Sequence, residues 1–389
     1  MHQLKAQLEE LGHEVDLLGN SPDYTKFHIV NRGLALEKEK LLPLLDRQLF
    51  DSESPYFAHD PQHVIRSYEL DRYCMELSAA YFGLHQYDLI HTQDIFAARA
   101  LSRVKPKHVP LVAHVHGSVA TELHTSFRNS PQMGISEQSP EWQYFTLMEH
   151  YGAASADLTI TANQWQKNIL TEQFGVPQQQ VAVFQYGLDA VAFWQKAHAG
   201  TTIRPPFGKK VIIFPARLTY VKGINVLIDA LALLKSARRD WVCWIVGDGE
   251  LRGALEHQVL AASLQHDVRF LGQRDDVPAL LLQSDIFVHS CYQDNQPFSV
   301  MEAQLAGLPV IVSAAGGLPE MVEHGVTGLI SPVGDAIMLY QQLKILLEND
   351  HNRKQLGANA QAWASQHWSM ELMMSRLLDV YTSVQPTVR

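Results

Sequence analysis

Two carboxylates eight positions apart, Asp294 and Glu302, bracket the stretch of this 389-residue chain richest in chemistry. The stretch reads CYQDNQPFSVMEAQLAG from Cys291 to Gly307. A strand pattern (Asp285–His289) precedes it, and a loop with Gln296, Pro297 and Phe298 separates the acids. A helical pattern then carries Ser299, Val300 and Glu302 and stops at Gly307. Such a turn exposes unpaired backbone N–H groups at the positive end of a helix, which suits an anionic phosphate. A carboxylate just inside the helix can accept hydrogen bonds from sugar hydroxyls. The combination points to a nucleotide-sugar donor held by its phosphates and its hydroxyls.

Two cations lie upstream in FPARLTYVKG, Phe214–Gly223. A strand pattern ends at Pro215, and Arg217 and Lys222 follow before the helical pattern Ile224–Lys235. The carboxyl end of a strand is where doubly wound sheets bind ligands. Arg offers a bidentate fork and Lys a point charge, together suited to a diphosphate. Two solvated loop charges are the plain alternative; the acids downstream in the same half favour the ligand. Gly247-Asp248-Gly249 follows another strand, where Gly permits close backbone approach, or where the chain simply turns. Gly316 and Gly317 present either backbone N–H groups to a ligand or a flexible loop. His114 and His116 alternate on one strand and share a face. No third ligand has a recognisable spacing, so no metal is expected there. His116, at the strand end, is better placed to hydrogen-bond or handle a proton. His91 and Asp94 end another strand, and Tyr186-Gly187-Leu188-Asp189 closes the last strand of the first half, where an ordinary turn is the alternative.

The elements that must position these residues alternate short β-rich runs with longer helical patterns, the signature of parallel α/β sheets. In the first half the expected strands are Glu14–Leu18, Asp88–His91, Val109–Val115, Asp157–Thr161 and Val181–Gln185, with helices such as Val64–Leu84 and Glu141–Ala154. In the second they are Lys210–Pro215, Trp241–Gly247, Val268–Leu271, Asp285–His289 and Pro309–Ser313. The stretch Ala197–Lys210, AHAGTTIRPPFGKK, reads as a linker. The length fits two domains: 1–200, 201–368, and a closing segment 369–389 that crosses back. The chain opens with a helical pattern, His2–Leu11, stopped by Gly12. A Rossmann-type domain normally begins with a strand and a Gly-rich turn. Both are missing, so a gap in the first sheet is expected, through either a start that lies upstream or an abnormal domain.

Composition narrows the partners. Thirty-one basic against 41 acidic residues give a net charge of −10, which weighs against nucleic acid. Cys74, Cys243 and Cys291 form no CxxC spacing and read as reduced thiols of a cytoplasmic protein. No apolar run is long enough to span a membrane and Met1 opens no signal-peptide pattern; peripheral membrane contact with a lipid-linked acceptor stays open.

These motifs together resemble the retaining glycosyltransferases of family 4, glycosyl transferases group 1, over nearly the whole chain. Ala216-Arg217-Leu218-x3-Lys222-Gly223 resembles the family's G-R-L-x3-K-G, with Ala for the first Gly. Asp294-x7-Glu302 resembles its E-x7-E, with Asp for the first Glu. GGLPEMVEHGVTGLISPVGD is similar to its G-G-x-P-E stretch, His116-Gly117 to its strand-end His-Gly, and Tyr186-Gly187-Leu188-Asp189 to its N-G-V-D turn, with Tyr for Asn. The resemblance implies the GT-B architecture, two Rossmann-like domains facing a cleft, the first lacking its opening strand. It implies a hexosyltransferase-type enzyme (EC 2.4) taking a UDP-sugar as the expected donor. Arg217 and Lys222 would neutralise the diphosphate, and Glu302 would hold the ribose hydroxyls. Asp294 and the backbone near Phe298 and Ser299 would hold the donor sugar and phosphate. Val300, Gly247, Gly316 and Gly317 would line the donor site, and His116 would lie near the reacting sugar or the acceptor. Asp at 294 shortens the carboxylate by one methylene, which bears on sugar choice.

Preorganised cations stabilise the charge that builds on a leaving diphosphate, so no metal and no cofactor is expected. No carboxylate stands out as a covalent nucleophile, which favours retention by same-face attack. The acceptor is a glycan, a lipid or a small molecule. Two rival readings share the motifs: a binding or assembly protein with an impaired acceptor half, and another GT-B enzyme such as a sugar-phosphate synthase or phosphorylase.

Overall fold

The computed structural model describes residues 2–49, 64–128 and 136–385. The C-terminal lobe is built on six parallel strands: β8 (Lys210–Pro215), β9 (Trp241–Val246), β10 (Val268–Gly272), β11 (Ile286–His289), β12 (Val310–Ser313) and β13 (Gly328–Ser331). Their order is β10-β9-β8-β11-β12-β13, so strand order reverses between β8 and β11. Ligands bind beyond the carboxyl ends of the strands at such a reversal. Runs such as VIIF in β8 and WVCWIV in β9 are buried throughout because helices cover both faces. One face packs Trp244, Phe287 and Met301; the other packs Ile212, Leu227 and Leu343.

The N-terminal lobe holds four parallel strands in sequence order, β4 (Ile90–Thr92), β5 (Leu111–Val115), β6 (Leu158–Thr161) and β7 (Val181–Val183). Helix Ile95–Val104 packs Ala98 and Leu101 on one face. The other face takes Leu8 of helix His2–Glu10 together with Met374, Leu377 and Val380 of helix Met370–Val384. The terminal helix therefore returns to the first sheet. Its crossing is held where Leu188 N–H donates to the Trp368 carbonyl at 2.8 Å and Trp368 Nε1–H donates to Gln304 Oε1 at 2.8 Å.

The expected parallel strand Glu14–Leu18 needs correction. Only Leu18 enters a strand, and β1 (Leu18–Asn20), β2 (Lys26–Ile29) and β3 (Leu34–Glu37) form a separate antiparallel ribbon. The turns decide this. Asp23 accepts from the Ser21 and Thr25 hydroxyls at 2.5 and 2.9 Å, and Gly33 adopts a φ of +67°. Turns this tight join neighbours in antiparallel register, whereas parallel neighbours need a long crossover. Strand β13 was not expected, since GLIS is short; its Gly328 and Ser331 are buried. Asp157 and Asp285 fall just outside their strands. Each carboxylate accepts a neighbouring backbone N–H, from Leu111 at 2.7 Å and from Val211 at 2.9 Å.

Candidate active site

A cleft of about 610 Å³ opens beyond the carboxyl ends of β8, β9 and β10. The C-terminal lobe lines it with Arg217, Gly247, Asp248, Arg274 and Glu302, and the N-terminal lobe closes it with Asp189 and Lys196 of the segment that begins helix Ala190–Ala199 and the helix itself. Arg217 and Glu302, joined only by inference in the sequence, therefore face one space. Arg217 is exposed and forms no salt bridge or side-chain hydrogen bond with a described residue. Arg274 is already gripped by Asp276 through two hydrogen bonds of 2.7 Å. Burial raises the Glu302 carboxyl to about 7, opposed by the Lys196 ammonium across the cleft. Glu302 thus sits between its neutral and charged forms near neutrality.

Lys222 and Asp294 meet at the reversal itself. Asp294 Oδ2 accepts from Lys222 Nζ at 2.6 Å and from His289 Nε2 at 2.7 Å, while Oδ1 accepts Asn295 N–H at 3.0 Å. Burial works against the Asp294 charge, but His289 and Lys222 outweigh it and hold the carboxyl below its ordinary range. Burial would likewise lower His289, yet the Cys291 sulfur and Asp294 push it up to about 9. His289, Cys291 and Asp294 bring their donor atoms within 4.8 Å of one another, a set that could hold a metal ion. Lys222 already occupies the carboxylate, and a second cation there would meet an ammonium.

Three strand-end loops are laced together to make this geometry. Tyr292 N–H donates to the Val221 carbonyl at 2.8 Å and Ser290 Oγ donates to the Gly223 carbonyl at 2.8 Å. Gly223 has φ +64°, and a β-carbon there would lie 2.0 Å from the Ser290 carbonyl oxygen. Gly316 has φ +56°, with the Asp294 carbonyl oxygen 1.9 Å from where its β-carbon would stand. Only glycine fits either place. Gly317 N–H donates to the Asp294 carbonyl at 3.0 Å, so it supports the acid loop and is not turned to a ligand. Gly247 lines the cleft, but its N–H is taken by the Gly272 carbonyl at 2.8 Å. On the helix Phe298–Leu305, Val300 is buried in the core and its N–H donates to the Pro297 carbonyl at 3.1 Å. Its expected place in the donor shell is therefore one of support. Phe298 and Ser299, ahead of it, begin a helix with no side-chain cap.

The acid loop also fastens the lobes together, a role the sequence did not announce. Asn295 Nδ2 donates to the His116 carbonyl at 2.8 Å, and Tyr186 N–H donates to Gln296 Oε1 at 2.9 Å. The Tyr186 ring stacks on Phe298, with centroids 5.8 Å apart and planes 9° from parallel. Glu320 accepts Gln164 N–H at 2.9 Å and Trp165 N–H at 2.7 Å from the other lobe. His116 stands beside this joint. Its Nδ1 lies 2.6 Å from the Tyr186 hydroxyl and its Nε2 lies 2.9 Å from Gln93 Oε1. The His116 side chain keeps an exposed edge, and partial desolvation lowers its pKa to about 4, which favours the neutral ring. His114 stacks on it at 4.6 Å, which bears out the shared face. Asp94 turns out to cap helix Ile95–Val104, accepting Ala97 N–H at 2.7 Å. Glu122, on helix Val119–Arg128, is a further acid in range of Lys222, Asp294 and Arg217; burial raises its pKa.

Comparison with known proteins matches this arrangement. Residues 1–191 match the model of Glycosyltransferase Family 4, and residues 202–363 match that of Glycosyl transferases group 1. An uncharacterized glycosyltransferase of Methanocaldococcus jannaschii is 29% identical over 266 residues, 66% of this chain and 65% of that protein. The chain thus spans just under two thirds of that relative's length. The N-acetyl-alpha-D-glucosaminyl L-malate synthase of Bacillus anthracis is 22% identical over 98% of this chain and 92% of its own. Among solved structures, Anabaena Alr3699/HepE in complex with UDP-glucose superposes with a TM-score of 0.66 at 24% identity, covering 80% of this chain and 82% of that one. Its neighbours of this kind are GT-B glycosyltransferases.

Proposed function

The chain belongs to the family 4, group 1 glycosyltransferases, and from that premise we propose that it moves a hexose, with retention, from a UDP-sugar to a glycan, lipid or small-molecule acceptor. The carrying observation is that Arg217 and Glu302 line one cleft at the carboxyl ends of the strands, with the Lys222–Asp294 pair on the strand-end loops outside that lining. The donor would lie with its pentose hydroxyls on Glu302 and its pyrophosphate on Arg217, Lys222 and the N–H groups of Phe298 and Ser299. One neighbour of this fold, Anabaena Alr3699/HepE, solved with UDP and with UDP-glucose, supports that donor class.

Breaking the sugar–phosphate bond leaves two phosphate groups with growing negative charge. Fixed cations and helix-end dipoles stabilise that charge without reorganising. Arg217, unpaired by any described residue, is free to meet it; Lys222 would share its ammonium between Asp294 and the phosphate. On this reading no metal is needed. The departing phosphate oxygen takes the acceptor hydroxyl proton as the acceptor oxygen bonds to the anomeric carbon on the face that the phosphate leaves. Asp294, with no free proton and both oxygens engaged, holds Lys222 in place. His116 lies at the joint where sugar and acceptor would meet. Among the described residues no helix is long and apolar enough to cross a membrane. The buried free cysteines fit a cytoplasmic setting, with membrane-linked acceptors reached from the surface.

The test is a melting-temperature screen with UDP, GDP, ADP and their sugars, followed by product analysis with the best donor. A donor that binds the native state raises apparent stability. A UDP-sugar should stabilise the protein and transfer its sugar with retained anomeric configuration. Stabilisation by no nucleotide would remove the reading, and binding without transfer or hydrolysis would favour an assembly role.

A further inference from the structure

Four side chains, two from the end of β4, one following β7 and one from the terminal helix, extend His116 into one line. Gln93 Nε2 lies 3.2 Å from His91 Nε2, and His91 Nδ1 lies 2.7 Å from the Tyr381 hydroxyl on the terminal helix. With the contacts at His116, the line runs Tyr186–His116–Gln93–His91–Tyr381. Burial lowers the pKa of His91 to about 3, so both imidazoles are neutral and each carries one ring proton. One proton arrangement satisfies every contact with Gln93 as oriented. Tyr186 O–H donates to His116 Nδ1, His116 Nε2–H donates to Gln93 Oε1, Gln93 Nε2–H donates to His91 Nε2, and His91 Nδ1–H donates to Tyr381. Turning the Gln93 amide over reverses all of them together. His114 stacks between the two rings but stays outside the line, its Nε2 bonded to no described atom.

We propose that Gln93 is a positioning residue for sugar transfer: its amide fixes the tautomer and ring plane of His116 and ties both to Tyr381. This rests on the reading of the cleft as a glycosyltransferase site. Gln93 is the one member able to donate to one imidazole and accept from the other. Its line ends at Tyr186, whose ring stacks on Phe298 where the donor helix begins. Tyr186 stands where the family resemblance has Asn, so this end of the line is a feature of this chain. A ring held from both nitrogens keeps one face and one orientation at the joint between the lobes. Loss of that orientation lowers turnover without weakening the diphosphate contacts, which belong to the other lobe.

The experiment is nitrogen NMR of histidine-labelled protein, parent against Gln93→Met and Tyr381→Phe, with steady-state transfer on the same samples. The parent should show His116 and His91 as neutral single tautomers from pH 6 to 8. Gln93→Met should move the His116 ring nitrogens toward a tautomer mixture and lower kcat about tenfold to a hundredfold, with donor KM unchanged. Tyr381→Phe removes one hydroxyl from a packed ring and should shift His91 strongly and His116 measurably. If Gln93→Met does not fold, Tyr381→Phe carries the test by the same signals. A His116 signature identical in all proteins, or an unchanged kcat in Gln93→Met, overturns the proposal. If no donor is turned over, the reading of the cleft fails, and the nitrogen shifts separately decide whether Gln93 orders His116.

Discussion

The two lobes come together at their joint with opposite chemistry. The C-terminal lobe brings charge: Arg217, and Lys222 bound to Asp294 at 2.6 Å. Apart from Asp189 and Lys196 at the cleft wall, the N-terminal lobe brings neutral polarity: His91, His114 and His116 all have pKa values pushed down by desolvation. The difference follows from where the groups stand. Arg217 keeps contact with water, and the buried Asp294 keeps its charge through Lys222 and His289. His91 on the edge strand β4, His114 on β5 and His116 just past its end lose hydration, and the charged form is the one that suffers. One lobe is thus equipped to receive a departing diphosphate, the other to orient what attacks. The joint between them is the acid loop, where Asn295 and Gln296 reach across.

The strongest way to break this contrast is Arg217→Ala. If the charged lobe carries the leaving group, transfer should fall by about 10²–10³ in kcat while the fold, read by melting, holds. Turnover equal to the parent would assign the charge to other residues. Next comes Asp294→Asn, which leaves Lys222 and His289 without their shared partner. Stability should drop by about 3–5 kcal/mol in urea unfolding, as for a buried pair with one side removed. A drop well under about 1 kcal/mol, the range of exposed pairs, would mean the trio is solvated.

Titration sharpens the comparison further. His289 rises from 6.5 to about 9, so its contribution is fully present below pH 6.5 and lost as pH climbs through 9. Asp294 is depressed, so its contribution is present above pH 3.8 and lost as pH falls through its folded value. The parent's stability should therefore decline on both flanks, and Asp294→Asn should flatten both. The smallest effect is expected from Glu320→Gln, which weakens the acceptor that receives two backbone N–H groups of the opposite lobe. Cap losses cost about 0.5–2 kcal/mol, and donor affinity should change little. A large loss of donor binding would show that this contact sets the cleft itself.

Much of the charged lobe was legible because its residues sit on short contiguous loops. Arg217 and Lys222 follow one strand, and Asp294 and Glu302 follow another, so spacing alone placed them at strand ends. The glycine pairs were legible as special but not in purpose. Gly316 makes room for the Asp294 backbone, and Gly317 spends its N–H on it, neither of which spacing reveals. Val300 lay within the right motif yet faces the core, because a helix turns neighbouring residues to different sides. The ribbon β1–β3 was misplaced since its first strand begins where a parallel strand would also read.

By itself the sequence determined the two α/β lobes, the strand-end cations and the acids of the loop and helix after another strand. These are local facts, set by hydrophobic period and by residues a few positions apart. The tertiary structure alone decided that Lys222 is held by Asp294 and His289, that Asn295, Gln296 and Glu320 bind the lobes together, and that Gln93 joins His116 to Tyr381. Those contacts span separations from five positions to 290. Hydrogen-bond geometry at such range is fixed by how sheets and helices pack, and no pattern along the chain carries it.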